Sequence, residues 1–112
     1  MNVQVAYKIL TQAQFTALRD GTFEGAPVDV MDGYIHLSTA SQLDETLAKH
    51  FPAQEGLVIV AIPLTPLGSA LKWEASSGGQ LFPHFYGRLS MDLVSAHTPL
   101  LRGVDGRALI PA

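Results

Sequence analysis

The chain contains no cysteine, which excludes disulfide scaffolds, thiolate metal sites and thiol catalysis together. It also lacks a long hydrophobic run: the longest apolar stretch, residues 57–64, is far too short to cross a bilayer. The N-terminal segment has neither the basic leader nor the apolar run of a signal peptide. We therefore expect no membrane association and a cytoplasmic location.

Positive charge is scarce as well. The chain has seven lysine and arginine residues, scattered singly, against ten acidic residues, and its net charge is −3. Tight binding of a long nucleic acid requires clustered cations that neutralise several phosphates and release their counterions. We therefore expect a small-molecule partner rather than a long nucleic acid.

What the chain does contain is enough apolar material for a core. Hydrophobic residues make up 47% of its 112 residues and charged residues 15%, a balance typical of a folded domain. There is no internal repeat, linker or low-complexity tract. Residues 1–112 are therefore predicted to form a single domain.

The first twenty residues predict a strand followed by a helix. Residues 3–10 alternate between apolar and other positions, as a strand does. Thr11 and Gln14 form a capping-box pattern that predicts a helix over residues 12–20. Gly21 supplies a left-handed end to that helix.

The next segment predicts a loop, a short strand and a second helix. Residues 21–33 are rich in glycine and acid, which is typical of a loop, and residues 34–38 resemble a strand. Ser41 with Asp44 predicts the start of a second amphipathic helix, which Pro52 ends.

From residue 57 onwards the chain is predicted to be mainly β. Strand 57–62 is apolar on both faces, which favours a central position in a sheet. Helices early and strands late predict an α+β fold rather than a doubly wound sheet. The remaining predicted elements are strands at 71–75, 81–87 and 93–98, a turn at 76–79 and a hairpin turn at 105–106.

Three of these strands place polar side chains on one face. Side chains i and i+2 of a strand point the same way, so residues of each strand that lie two apart share a face. If the strands are neighbours, their polar faces converge and supply acid–base groups, hydrogen-bond donors and stacking surfaces. Leu37 and Trp73 are expected on the opposite, core side. The convergent set is Tyr34, His36, Ser38, Lys72, Glu74, His84 and Tyr86.

Taken alone, each of these residues has a structural explanation, such as a buried histidine or a solvated charged side chain. We favour a functional site because polar residues recur on one face of three strands. Other chemistries have less support. His36, Glu74 and His84 lack the helical spacing of a zinc motif, so no metal is predicted. Ser38 with His84 resembles a nucleophile and its base, but Ser38 is not in a GxSxG elbow.

Four segments together carry a family resemblance: YKIL at 7–10, DGYIHLST at 32–39, LKWE at 71–74 and LFPHFYG at 81–87. Through these segments the chain resembles the bacterial Domain of Unknown Function 952 family over nearly its whole length. That family is similar to the ADP-ribosyltransferase-like superfamily. The resemblance implies a small split or mixed β-sheet core with two N-terminal helices and a cleft for a nicotinamide dinucleotide, NAD being the substrate.

The resemblance also implies roles for the polar residues. His36 would hold a ribose, Glu74 would stabilise an oxocarbenium-like transition state, and Tyr86 would stack on nicotinamide. His84 and Lys72 would contact phosphate or ribose. The first strand departs from the superfamily pattern, since Tyr7-Lys8 stands where an HGT-like stretch is usual. The implied catalytic residues are Glu74, His36 and His84, and the implied substrate-binding residues are Tyr34, Ser38, Lys72 and Tyr86.

Three functions remain open from the sequence. The leading hypothesis is a transferase-like enzyme that uses NAD or a related ADP-ribosyl compound. The second is a non-catalytic module that binds a nucleotide or small metabolite. The third is a small hydrolase or isomerase in which His36 or His84 is the general base and Glu74 orients it.

Overall fold

The computed structural model describes residues 3–76 and 78–111 and has an α+β fold. Its strands form two antiparallel three-stranded sheets, ordered β1-β3-β6 (sheet 1) and β2-β5-β4 (sheet 2). The strands are Val5–Leu10 (β1), Ile35–His36 (β2), Val58–Pro63 (β3), Leu71–Ala75 (β4), Leu81–Phe85 (β5) and Ala96–Pro99 (β6). The α-helices of this part of the chain are Gln12–Asp20 (α1), Pro27–Asp32 (α2) and Leu43–His50 (α3).

Sheet 1 has apolar cores on both of its faces. Strand β3 is its central strand, as its apolar sequence predicted, and is buried along nearly all its length. One face packs with α1 and sheet 2, and the other packs with α3. Alternation along β1 divides its residues between the two cores, because Ala6 and Leu10 lie in the first while Tyr7 and Ile9 lie in the second.

The two sheets meet between β1 and β2. Tyr7 N–H donates to the Ser38 carbonyl (2.7 Å) and Ser38 N–H donates to the Tyr7 carbonyl (2.9 Å). Across the described residues the six strands are thus ordered β4-β5-β2-β1-β3-β6, with this bridge at the junction. The predicted α+β class is confirmed. In the described part of the chain, no helix is long and apolar enough to cross a membrane.

Two predictions for the first half of the chain are wrong. Residues 21–33 are not all loop, because they include α2, which begins at Pro27 with an acid in its first turn. The second helix does not begin at Ser41: a 3₁₀ turn precedes α3, and Thr39 N–H donates to Gln42 Oε1 (3.0 Å) there. Asp44 instead accepts a hydrogen bond from the backbone of Ala108 (2.8 Å).

Four strands are shorter than predicted. Strand 3–10 begins only at Val5. The strand predicted at 34–38 is limited to Ile35–His36, and the strand predicted at 81–87 ends at Phe85. The strand predicted at 93–98 begins only at Ala96, because a 3₁₀ turn at Met91–Leu93 precedes it. Strand 71–75 and the turn at 105–106 are confirmed. The predicted turn at 76–79 includes Ser77, which lies outside the described residues; Gly79 N–H donates to the Ser76 carbonyl there.

The capping box of α1 gives a stability prediction. Gln14 N–H donates to Thr11 Oγ1 (3.1 Å) and Thr11 N–H donates to Gln14 Oε1 (2.9 Å). We expect Thr11→Ala to lower the free energy of unfolding by about 1 kcal/mol in urea denaturation. Thr16→Ala, on the exposed face of the same helix, is the control and should cost nothing. Equal effects of the two substitutions would contradict the assignment.

Candidate functional site

The register of sheet 2 aligns the polar side chains predicted from its strands. His36 lies directly opposite His84, and His84 lies opposite Lys72. Directly opposite residues of an antiparallel pair share a face, so alternation brings the neighbouring even-numbered positions to the same side. We call this the polar face of sheet 2; it carries Tyr34, His36, Lys72, Glu74, Phe82, His84 and Tyr86.

Ser38 and Trp73 are placed differently from the expectation. Ser38 lies beyond β2, is buried, and its Oγ is 2.9 Å from Thr46 Oγ1, so the structure does not bring it to the polar face. Leu37 is buried in the core, as expected. Trp73 lies opposite Pro83 on the core-facing side but is 40% exposed, because β4 is the edge strand of sheet 2. Trp73 therefore lies on the predicted side of the sheet but is not buried in the core.

Aromatic rings cover the centre of the polar face. The Tyr34 ring stacks on His84, with centroids 4.1 Å apart and planes inclined by 23°. It also contacts the rings of His36 (4.5 Å) and Tyr86 (5.2 Å). His84 is 3% exposed as a result, whereas Tyr86 is 41% exposed. A ligand arriving at this face would meet the tyrosine rings before it met His84.

Glu74 is the carboxylate at the β4 side of the face. Its Oε1 lies 2.8 Å from His84 Nδ1 and accepts a hydrogen bond from the Tyr86 hydroxyl at 2.7 Å. The hydrogen bond with His84, followed by that from Tyr86, lowers the pKa of Glu74. The same bond to Glu74 raises the pKa of Tyr86 to about 12. Glu74 is therefore a partly exposed, ionised carboxylate whose orientation is fixed by two neighbours.

His36 lies between two carboxylates at the β2 side of the face. Its Nδ1 is 2.7 Å from Asp29 Oδ1, and its Nε2 is 3.0 Å from Asp32 Oδ2. A neutral imidazole donates through one nitrogen, so both contacts are hydrogen bonds when both nitrogens carry a proton. Asp29 also accepts from the His36 backbone N–H (3.0 Å), which fixes the residue as well as its ring.

Asp29 is buried beneath the site and is saturated with donors. Lys8 Nζ, also buried, lies 3.0 Å from its Oδ1 and 2.8 Å from its Oδ2, and Ala26 N–H donates to Oδ2 (2.9 Å). Burial alone would raise the pKa of Asp29, but the hydrogen bond from His36 and the charge of Lys8 outweigh it and hold the pKa at about 2. Asp29 thus connects sheet 1, α2 and the polar face.

Sequence reasoning placed Asp29 and Asp32 in a loop and gave them no role. Two sequence features pointed to a role for Asp29. Pro27 followed by an acid two residues later is typical of a helix start. Lys8 also interrupts the apolar face of β1 that holds Ala6 and Leu10. A lysine on a core face needs a buried partner of opposite charge. Nothing in the sequence said which acid that partner would be.

A cleft of about 240 Å³ opens beside Tyr34, between α2 and the end of β5. This volume accommodates one ring or sugar rather than a whole dinucleotide, since complete ligand pockets span roughly 300–1,000 Å³. In the described residues, no group of three His, Cys, Asp or Glu side chains is arranged to hold a metal ion. The cleft is lined by Glu24, Asp29, Val30, Gly33, Tyr34, Ile35 and Gly87.

The Lys8–Asp29 pair gives a pH-dependent prediction. We expect Asp29→Asn to lower the free energy of unfolding by about 3–5 kcal/mol at pH 7, because it leaves a buried lysine charge unpaired. The pKa of Asp29 is lowered from 3.8 to about 2 on folding, so the contribution of its charge is present above pH 3.8 and is lost as pH falls through 2. The difference between wild type and variant should therefore shrink between these values in urea denaturation.

Asp32→Asn is the control, because Asp32 is 39% exposed and its removal should cost at most about 1 kcal/mol. A deficit in Asp29→Asn that is the same at pH 7 and pH 2 would contradict the role of the Asp29 charge.

Solved structures resemble this chain throughout. The crystal structure of protein CC0527 from Caulobacter crescentus is 44% identical, with a TM-score of 0.83 over 94% of this chain and 93% of that chain. The crystal structure of a double mutant of CC0527 is 42% identical with the same TM-score and coverage. The solution NMR structure of CC0527 is 45% identical, with a TM-score of 0.78 over 92% of this chain and 90% of that chain.

No curated protein matches the chain. The model of one protein family, described as "Protein of unknown function (DUF952)", matches residues 9–97, which is most of the chain. The sequence segments that carried the resemblance agree with this match. The chain therefore belongs to the DUF952 family.

Proposed function

We propose that the polar face of sheet 2 binds NAD or a related ADP-ribosyl compound and breaks its bond between ribose and nicotinamide. The observation that carries the proposal is the environment of Glu74. Its carboxylate is ionised, 38% exposed, and held by His84 and by the exposed Tyr86.

The chemistry needs a fixed negative charge beside the sugar. As the bond between the anomeric carbon and the nicotinamide nitrogen breaks, its electron pair leaves with nicotinamide and positive charge develops on the ribose. An anionic carboxylate oriented in advance stabilises that charge without reorganising during the reaction. Water or another nucleophile then adds to the anomeric carbon and releases its proton. His84 and Tyr86 act by fixing Glu74.

The neighbouring side chains suit the rest of such a ligand. The exposed ring of Tyr86 offers a stacking surface for nicotinamide. Lys72 lies on the exposed edge strand with its Nζ 6.0 Å from the centre of the Tyr86 ring, where its charge can approach a pyrophosphate. The two three-stranded sheets joined at one bridge also fit the split core that the superfamily resemblance implies.

The acid–base alternative has one observation in its favour, the 2.8 Å contact between His84 Nδ1 and Glu74. Such a pair resembles a base and its orienting carboxylate. Its weakness is access, since His84 is 3% exposed beneath Tyr34, whose ring would have to move before a substrate reached the imidazole. The exposed Glu74 needs no such movement.

Glu74→Gln tests the proposal. The substitution keeps the shape of the side chain and removes its charge, so we expect nicotinamide release from NAD to fall by about a hundredfold or more. The dissociation constant for NAD, measured by calorimetry, should change far less, because the charge acts on the transition state. Glu55 is an exposed carboxylate outside the polar face. Glu55→Gln is therefore the matched control and should leave both quantities unchanged.

Two outcomes would change the conclusion. Wild-type protein that binds NAD without releasing nicotinamide, with any acceptor offered, would identify a non-catalytic binding module. Full turnover by Glu74→Gln would remove Glu74 from the mechanism and leave the histidine alternative to be tested by substituting His84.

A further inference from the structure

We infer that the free edge of β4 binds the same edge of a second copy of the chain. The two β4 strands pair antiparallel, with Trp73 opposite the partner's Trp73, and two copies of sheet 2 then form one continuous sheet. This interface is independent of the proposed function, because it follows from the backbone groups and the charges of the edge strand.

The outer edge of β4 carries backbone groups that the strand pairing leaves unused. Successive residues of an antiparallel strand direct their N–H and C=O groups to opposite sides. At one end of the β4–β5 pair the Ala70 carbonyl accepts from Tyr86 N–H (2.8 Å), and at the other Ser76 N–H donates to the Gln80 carbonyl (3.0 Å). The even-numbered residues of β4 therefore point these groups towards β5, and the odd-numbered ones point them away. The residues that point away are Leu71, Trp73 and Ala75.

This edge is also open and partly apolar. In the described part of the chain, β5 is the strand that pairs with β4, and its other side has no neighbouring strand. Trp73 is 40% exposed there, and Leu81, which is paired with Ala75 and so lies on the same side of the sheet, is 54% exposed. An exposed edge with free donors, free acceptors and large apolar side chains is a template for another strand.

Charge selects both the partner and the register. Residues that point outward must meet residues that point outward, so well-overlapped antiparallel registers of two copies differ by steps of two positions. Three such registers exist: they place Lys72 opposite the partner's Lys72, Glu74 opposite the partner's Glu74, or Lys72 opposite the partner's Glu74. Like charges directly opposite each other destabilise a strand pair. The third register is therefore favoured, and by two-fold symmetry it forms the Lys72–Glu74 pair twice.

Both charged groups are free to form these pairs. The two hydrogen bonds of Glu74 use its Oε1, which leaves the other oxygen for the partner's Lys72. Lys72 takes part in none of the ion pairs found among the described residues. Exposed ion pairs contribute little to affinity, so we assign the charges the choice of register. The backbone hydrogen bonds and the contact between the two Trp73 rings supply the attraction.

The first test is the mass of the full-length protein in solution, measured by sedimentation as a function of concentration. Interfaces below about 1,200 Å² are typically weak, so the measurement extends to roughly 1 mM protein. We expect the mass to rise from that of one chain towards that of two. Protein that remains monomeric over the whole range would overturn the inference and leave the edge to a strand of some other protein.

Reversing single charges tests the register. Lys72→Glu and Glu74→Lys should each raise the dissociation constant of the dimer by roughly tenfold or more, because each puts like charges opposite each other. An equimolar mixture of the two variants should associate at least as well as wild type, since every pair across the interface is then of opposite charge. Arg107→Glu makes the same change of charge as Lys72→Glu at an exposed residue outside β4, and it should leave association unchanged. Circular dichroism checks that each variant is folded.

Amide hydrogen exchange in wild-type protein tests the edge without a substitution. The Trp73 amide points outward, so it should exchange more slowly at roughly 1 mM than at roughly 10 μM protein, by the factor in which free edge is lost to dimer. The Lys72 amide points to β5 and should exchange at the same rate at both concentrations. A dimer that leaves the Trp73 amide unprotected, or that is unaffected by Lys72→Glu and is not restored by mixing, uses another surface and would overturn the inference.

Discussion

The carboxylate of Asp29 is the interaction on which the arrangement of the polar face depends. It receives the ammonium group of Lys8 from β1, the backbone N–H of Ala26 at the start of α2, and both the backbone and the ring of His36 from β2. Moving these charges out of water is costly, and the cost is offset because each has a partner of opposite charge and close hydrogen bonds. Removing one partner therefore affects three elements at once.

The same carboxylate explains an unusual helix. The side chain that α2 buries is Asp29, whereas its apolar Val28, Val30 and Met31 are exposed. The helix is therefore attached to the body of the protein by polar contacts rather than by an apolar stripe. Its last residue, Asp32, reaches His36. A line of polar contacts thus runs from the buried Lys8 through Asp29 and His36 to the exposed Asp32.

The two sides of the polar face have different chemistry. On the β4 side, Glu74 is held by His84 and Tyr86 and stays available to a ligand. On the β2 side, His36 is committed to two carboxylates, one buried and one exposed. Tyr34, which stacks on His84 between the two sides, keeps them apart.

The sequence by itself determined the first helix, the approximate positions of the strands and most of the composition of the polar face. An apolar run without alternation identified the central strand β3. Alternation, which has a fixed period of two, assigned a set of polar residues to one side of the sheet without knowledge of the pairing: Tyr34, His36, Lys72, Glu74, His84 and Tyr86. Capping and left-handed glycine signals are local as well, which is why α1 was predicted with its exact bounds. The family resemblance was also found from local features, since it rests on short segments that occur in a fixed order along the sequence.

The tertiary structure alone decided which residues meet. The register of sheet 2 put His84 between Lys72 and His36, because pairing is set by contacts between distant parts of the chain. The tertiary structure also directs Ser38 towards Thr46 and leaves Trp73 exposed on an edge strand. An alternating sequence pattern predicts neither. The ion pair between Lys8 and Asp29 joins residues that are 21 positions apart in the sequence. The two side chains meet because both are buried at the same place in the fold, and no local sequence pattern encodes that burial.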